Sequence, residues 1–217
     1  AVARRGERLA ALAGELEAQV CLEPVVADLT SIEGVARTLE ALRQKGPMDY
    51  LVNNAGFSTF GDFAANDIER QRAMLSLHCD AAITLCRAAI PFMRERGGGH
   101  IINVSSVGAF LPVKGLAVYG ATKAFLNYYS LALQAELAGT GIRVQALCPG
   151  YVRTGFHDEI EAEGFDRSRI PAGMWSEAPE VVARSLAALN GDEVLVVAGE
   201  GNIALARQGL QQQLDSL

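Results

Sequence analysis

Metal-binding side chains are scarce in this chain, which has three histidines and four cysteines among 217 residues. It contains no H-E-x-x-H, no C-x-x-C and no Cys/His cluster, so the sequence indicates no metal site. Cys21, Cys79, Cys86 and Cys148 each fall within apolar segments. They read as buried, reduced thiols of a cytoplasmic protein. Positive charge is also short: 19 Lys and Arg stand against 25 Asp and Glu, a net charge of -6. That balance argues against a nucleic-acid partner and predicts a soluble protein. No uninterrupted apolar run reaches the length of a membrane span, so no membrane is expected as a partner. The opening residues, Ala1 to Arg5, lack the apolar core of a signal peptide. No repeat, low-complexity tract or linker divides the chain, and one domain over residues 1–217 is expected.

What the chain has is an alternation of helical and strand patterns. Leu9, Leu12, Leu16 and Val20 keep helical spacing from Gly6 to Val20. A short strand at 24–27 ends at Asp28, and Ser31 is placed to cap a helix that Gly46-Pro47 stops. A strand at 49–52 runs into Asn53-Asn54-Ala55-Gly56. A long helix follows from Asp67 to about Arg96, with Pro91 as the expected kink. Strands are predicted at 100–105, 142–148 and 194–197. Helices are predicted at 117–137, 179–189 and 203–217. Strands alternating with helices imply a parallel sheet covered on both faces, a doubly wound, Rossmann-like three-layer α/β/α fold.

The stretch from Ser106 to Lys123 organises the rest. Tyr119 and Lys123 lie four residues apart on a predicted helix, hence on one face. A cation beside a phenol lowers the phenol pKa, so Tyr119 is expected to become a usable proton donor or acceptor. Ser106 ends a predicted buried strand, where open α/β sheets bind ligands. Alone, a Tyr-x-x-x-Lys pair is commonly an exposed helix face, and a strand-end serine commonly a turn residue. Together and at these spacings, the three residues resemble the hallmark of the short-chain dehydrogenase/reductase family. Asn53-Asn54-Ala55-Gly56 and Pro149-Gly150 extend the likeness over nearly the whole chain.

The resemblance implies roles for further residues. Ser106, Tyr119 and Lys123 would be catalytic. Asn54, Ala55 and Gly56 would pass close to a bound dinucleotide, where glycine permits close approach. Pro149, Gly150, Val152 and Thr154 would hold the nicotinamide carboxamide. Asp28 and Leu29 would lie by the adenine, Asp28 having a helix cap as its plainer reading. Ala3 stands where an acid would bind the ribose hydroxyls, and Arg4 and Arg5 follow it. That favours NADP(H) over NAD(H), against a solvated basic helix start. His78 falls where the family often has an asparagine that holds a water beside the lysine. It is expected either to relay protons, with an acid limb near pH 6.5, or simply to pack. The family's Gly-rich βα unit has no counterpart before Arg4, and a truncated N-terminus is expected.

The implied activity is NADP(H)-dependent interconversion of a carbonyl and an alcohol. An epimerase, dehydratase or cyclase on the same scaffold, or a non-catalytic cofactor sensor, remains an alternative. Residues 155–177 are expected to form a lid. Phe156, His157, Phe165, Met174 and Trp175, with Phe110 and Leu111, suggest an apolar carbonyl or alcohol substrate, or else anchor the lid. Apolar residues all round the 117–137 helix suggest a homodimer or homotetramer.

Overall fold

The computed structural model of the chain describes every residue except Glu159. Its central element is a four-stranded, wholly parallel sheet in the order β3-β4-β5-β8. The strands are β3 (Tyr50–Asn53), β4 (Gly99–Val104), β5 (Ile142–Cys148) and β8 (Leu195–Val197). The register pairs Asn53 with Asn103 and Asn103 with Ala146, so the strand ends that carry the motif residues lie side by side. Two further parallel pairs stand apart from this sheet. One joins β1 (Val2–Ala3) to β2 (Val25–Val26), the other β6 (Tyr151–Val152) to β7 (Trp175–Ser176). Among the described residues β1 and β2 pair as strands only with each other, and the four-stranded sheet begins at β3, where Tyr50 and Val52 are each 53% exposed.

Alternation along the strands divides the core into two layers. Ile101 of β4 and Val144 of β5 pack with Cys86, Ala89 and Met93 of helix α4 (Ala81–Glu95) and with Leu133 of helix α5 (Ala117–Glu136). Ile102 and Leu147, one pleat on, pack with Val181 and Ala188 of helix α7 (Ala178–Ala188). Both faces of the sheet are therefore covered, as a doubly wound fold requires. Helix α1 (Gly6–Leu16) stops four residues before the expected end, leaving Cys21 in an exposed connection. Of the four cysteines expected to be buried, Cys86 and Cys148 are; Cys79 is half-buried.

Helix α2 (Ile32–Lys45) starts as the sequence suggested, with the Ser31 hydroxyl accepting from the Gly34 amide at 3.0 Å. Gly34 is required there, because a Cβ would lie 1.8 Å from the Asp28 carbonyl oxygen. The long helix runs from Ile68 to Glu95 with Pro91 inside it. Between α3 (Ile68–Leu75) and α4, residues Ser76–Asp80 form a π-helical turn. At 28 residues and mean hydropathy 1.3, this helix is long and apolar enough to cross a membrane by length and composition. Met74, Ala82, Leu85 and Met93 are nevertheless buried within the fold.

Candidate active site

The C-terminal edge of the sheet gathers the motif residues. At the end of β4, Ser105 Oγ donates to the Lys123 carbonyl at 2.9 Å, which pins α5 to the strand end. Lys123 Nζ donates back to the Val104 carbonyl, also at 2.9 Å. The adjacent Ser106 opens a single 3₁₀ turn, its Oγ accepting from the Gly108 amide at 3.0 Å. Ser106 and Tyr119 meet around Gly108, where a Cβ would lie 3.4 Å from Ser106 Oγ and 3.7 Å from the Tyr119 ring, and Lys123 Nζ lies 5.6 Å from the centre of that ring. The three residues expected to act together are thus brought together.

Their electrostatics differ from the expectation that Lys123 would lower the Tyr119 pKa. Burial pushes the phenol up to about 12, opposed only by the Ser106 hydrogen bond. Burial also pulls Lys123 down to about 8, with the Cys79 and Cys148 thiols working against it. Both charged forms lose solvation in the same enclosed place, and that outweighs their mutual attraction. At neutral pH the phenol keeps its proton.

Asn53 is half-buried and donates from Nδ2 to Asn103 Oδ1 at 2.8 Å; Asn103 in turn donates to Ser130 Oγ at 2.9 Å. Asn54, Ala55 and Gly56 are exposed beyond it. Gly56 is constrained from within: a Cβ there would lie 2.8 Å from His78 Nε2 and 3.7 Å from Lys123 Nζ. His78 itself sits on the π turn and is 2% exposed. Its Nε2 accepts from the Phe57 amide at 3.3 Å, and its Nδ1 lies 2.8 Å from Thr122 Oγ1. Burial first, then Lys123, lowers its pKa to about 2. That lies well below the pH 6.5 at which an acid limb is expected, and both ring nitrogens are engaged by Phe57 and Thr122. Phe57 and Thr122, which complete this arrangement, carry no motif signal in the sequence.

At the edge of the β1–β2 pair, Arg4 and Arg5 are exposed and Leu29 is half-buried. The Asp28 carboxylate accepts from the Thr30 amide and hydroxyl at 2.9 and 2.8 Å. The Thr30 amide bond, foremost, holds it below the usual carboxylate range, and the Arg4 charge adds to that. It is Ser31, not Asp28, whose side chain caps α2. Beyond β5, the Pro149 carbonyl accepts from the Val107 amide at 2.8 Å. Gly150 leaves no space for a side chain, since a Cβ would meet Asn202 Oδ1 at 2.3 Å. Val152 packs in the core beside α7, and exposed Thr154 accepts from the Phe156 amide at 3.3 Å.

The segment expected to form a lid contains helix α6 (Phe156–Glu161) and β7. His157 is buried there against Tyr151, Phe156, Phe165 and Trp175, with ring centres 5.0–5.8 Å away. Most lid aromatics thus pack on one another, while Phe156 reaches within 6.1 Å of the Tyr119 ring centre. Glu163 ties the lid to the 57–66 loop by accepting from the Phe60 amide at 2.6 Å. A cavity of about 600 Å³ opens between that loop and the start of α5, lined by Thr59, Phe60, Phe63, Gln71 and Val118. Phe110, expected at the substrate, belongs instead to the core with Ala146, Cys148 and Ala206.

A parallel, doubly covered α/β sheet with serine, tyrosine and lysine at its strand ends defines an enzyme scaffold of the dinucleotide-binding kind. The sequence profile of the short chain dehydrogenases matches residues 1–164, and the chain belongs to that family. It is 38% identical over 168 residues to the NADP-dependent 3-hydroxy acid dehydrogenase YdfG of Salmonella typhimurium, covering 76% of this chain and 67% of that protein. It is 35% identical over 156 residues to an oxidoreductase of Myxococcus xanthus, covering 71% of this chain and 62% of that protein. Among solved structures, a short-chain dehydrogenase from Sphingobium yanoikuyae in complex with NADPH superposes with a TM-score of 0.84 at 33% identity. That match covers 99% of this chain and 84% of the other.

The buried histidine makes stability depend on pH. A histidine near pKa 2 when folded and 6.5 when unfolded binds its proton only in the unfolded chain between those values. Its contribution is full above pH 6.5 and is lost progressively as the pH falls. At pH 5 the loss from His78 is about 2 kcal/mol. Urea midpoints measured from pH 7 to pH 5 are expected to fall, and His78→Asn is expected to flatten that slope. An equal slope in the variant would rule out the buried neutral imidazole.

Proposed function

We propose that the protein is an NADP(H)-dependent oxidoreductase that interconverts a carbonyl and an alcohol. The observation that carries this reading is the meeting of the Ser106 hydroxyl, the Tyr119 phenol and the buried Lys123 ammonium at the sheet's C-terminal edge. The residues present fit a nicotinamide dinucleotide. The backbone of Asn54 to Gly56 is exposed, and Gly56 keeps the space before Lys123 open. Lys123 and Tyr119 would hold its ribose, and Pro149, Gly150, Val152 and Thr154 its carboxamide. Arg4 and Arg5, with Asp28 and Leu29, would hold the adenosine end.

When bound, the nicotinamide supplies or accepts the hydride. Tyr119, protonated through the neutral range, gives its phenolic proton to the carbonyl oxygen. Ser106 hydrogen-bonds the same oxygen as negative charge develops there. Lys123 keeps a positive field beside the phenol, which favours the phenolate in the reverse direction. The cavity beside Phe60, Phe63 and Val118 supports an apolar substrate.

Tyr119→Phe removes the proton donor and leaves the ring in place. Turnover of a carbonyl panel, followed by NADPH absorbance, is expected to fall at least 100-fold while NADPH binding stays within about three-fold. Substantial residual turnover would remove Tyr119 from the mechanism, and absence of any NADPH oxidation by the wild type would favour a non-redox enzyme.

NADPH is expected over NADH. Arg4 stands exposed by Asp28, and Ala3 offers no carboxylate to repel a 2′-phosphate. The NADPH complex of the Sphingobium protein and the NADP dependence of YdfG support the same choice. The ratio of kcat/KM for the two cofactors is expected to exceed 10 and to fall in Arg4→Ala, by an amount typical of one charge-assisted pair. Equal efficiencies in the wild type would defeat the claim.

The protein is further read as a homodimer or homotetramer. Leu126 and Leu133 of α5 face the core, while Tyr128 and Leu131 are 77% and 44% exposed. With Ile83 of α4 exposed as well, an apolar surface lies open along both long helices. Light scattering at micromolar concentration is expected to give at least twice the chain mass, and a monomer mass would refute the assembly.

A further inference from the structure

We propose that His78 is a positioning residue, a neutral imidazole strut that fixes the 53–57 loop to the helix carrying Tyr119 and Lys123. The proposal rests on the reading above for its catalytic meaning, and on geometry for the strut itself. A backbone amide can only donate, so the Phe57 N–H requires a bare lone pair on Nε2. A neutral ring must then carry its proton on Nδ1, which donates to Thr122 Oγ1 at 2.8 Å. The Thr122 hydroxyl passes its own hydrogen to the Tyr119 carbonyl at 2.8 Å. The chain Phe57, His78, Thr122, Tyr119 is satisfied at every link in one direction only. Adding a proton to Nε2 would set two N–H groups against each other, so the imidazolium is excluded by contact as well as by burial.

Three further features agree. The ring lies edge-on to Tyr119, with centres 6.1 Å apart and planes at 75°. Its position comes from the π turn Ser76–Asp80, and single π turns inside α-helices recur at functional sites. Finally, a Cβ at position 56 would strike Nε2 at 2.8 Å, so the loop can rest on the histidine only because Gly56 lacks one. Of the titratable groups, Tyr119 of α5 meets the ring and the Lys123 charge acts on it, while Cys79 and Asp80 follow it on its own turn. Lys123 disfavours the imidazolium. The histidine thus sets where the loop and the phenol stand and takes no proton in the reaction.

Two substitutions divide the strut. An asparagine amide reaches as far as Nδ1, so His78→Asn keeps the donor to Thr122 and frees the Phe57 amide. A glutamine amide reaches as far as Nε2, so His78→Gln keeps the acceptor for Phe57 and frees Thr122. With one net hydrogen bond lost in each, His78→Asn is expected to raise KM and Kd for NADPH about five-fold with kcat nearly unchanged. His78→Gln is expected to lower kcat about five-fold with NADPH binding nearly unchanged. Nitrogen NMR of ¹⁵N-histidine in the wild-type protein reads the tautomer without any variant. An Nδ1–H imidazole that does not titrate between pH 5.5 and 8 supports the strut. An Nε2–H form, a titrating His78, or the same kinetic change in both variants overturns it. If the wild type binds NADPH but reduces no carbonyl, the proposed activity fails, and the NMR and NADPH titrations still decide the strut.

Discussion

A buried ammonium is the constraint around which this site is built. Lys123 is only 5% exposed, and its Nζ is met by a backbone carbonyl, that of Val104. Removing an ammonium from water is expensive unless hydrogen bonds replace its hydration. The structure supplies one, from the Val104 carbonyl of β4, while Ser105 holds the lysine's backbone. The cost shows in the pKa of about 8. Below that pH the lysine keeps its charge beside the Tyr119 ring.

That constraint depends on the sheet and α5 keeping a fixed relation. A buried amide network provides it. Asn53 of β3 donates to Asn103 of β4, and Asn103 to Ser130 of α5. Asn103 and Ser130 are fully buried, so a slip of either strand by one residue would leave buried polar groups unsatisfied. The apolar layers press α4 and α5 onto the sheet, and the amides add to the choice of register. The same register sets Asn53 beside the end of β4, and so places the 53–57 loop opposite Lys123.

Much of this was legible along the chain because its signals are local. The i, i+4 spacing of Tyr119 and Lys123, the strand before Ser106 and the cap at Ser31 need only nearby residues. Burial is not local, and the misreadings fall there. Nothing near Phe110 in sequence reveals that Ala206 from the last helix covers it. Cys21 looks apolar in its segment, yet no element packs over it. Spacing alone predicts a lowered Tyr119, because it shows the neighbouring charge and hides the burial that raises it. For His78 the residue type suggested a titrating relay. Its partners, Phe57 and Thr122, arrive from 21 and 44 residues away and make it a fixed neutral ring.

The order in which the site loses protons follows from these environments. With the phenol near 12 and the ammonium near 8, the first proton to leave as pH rises is that of Lys123. That loss withdraws the positive charge that most favours a phenolate, so raising the pH does not by itself produce one. At pH 7 the neutral phenol and the charged amine stand together, the pair that the proposed carbonyl reduction would use. Anything that brings positive charge into the same crevice acts on both groups in one direction: it lowers the phenol and, by repulsion, the ammonium. The two sites then titrate as a coupled pair, and what shares the crevice sets the balance between them.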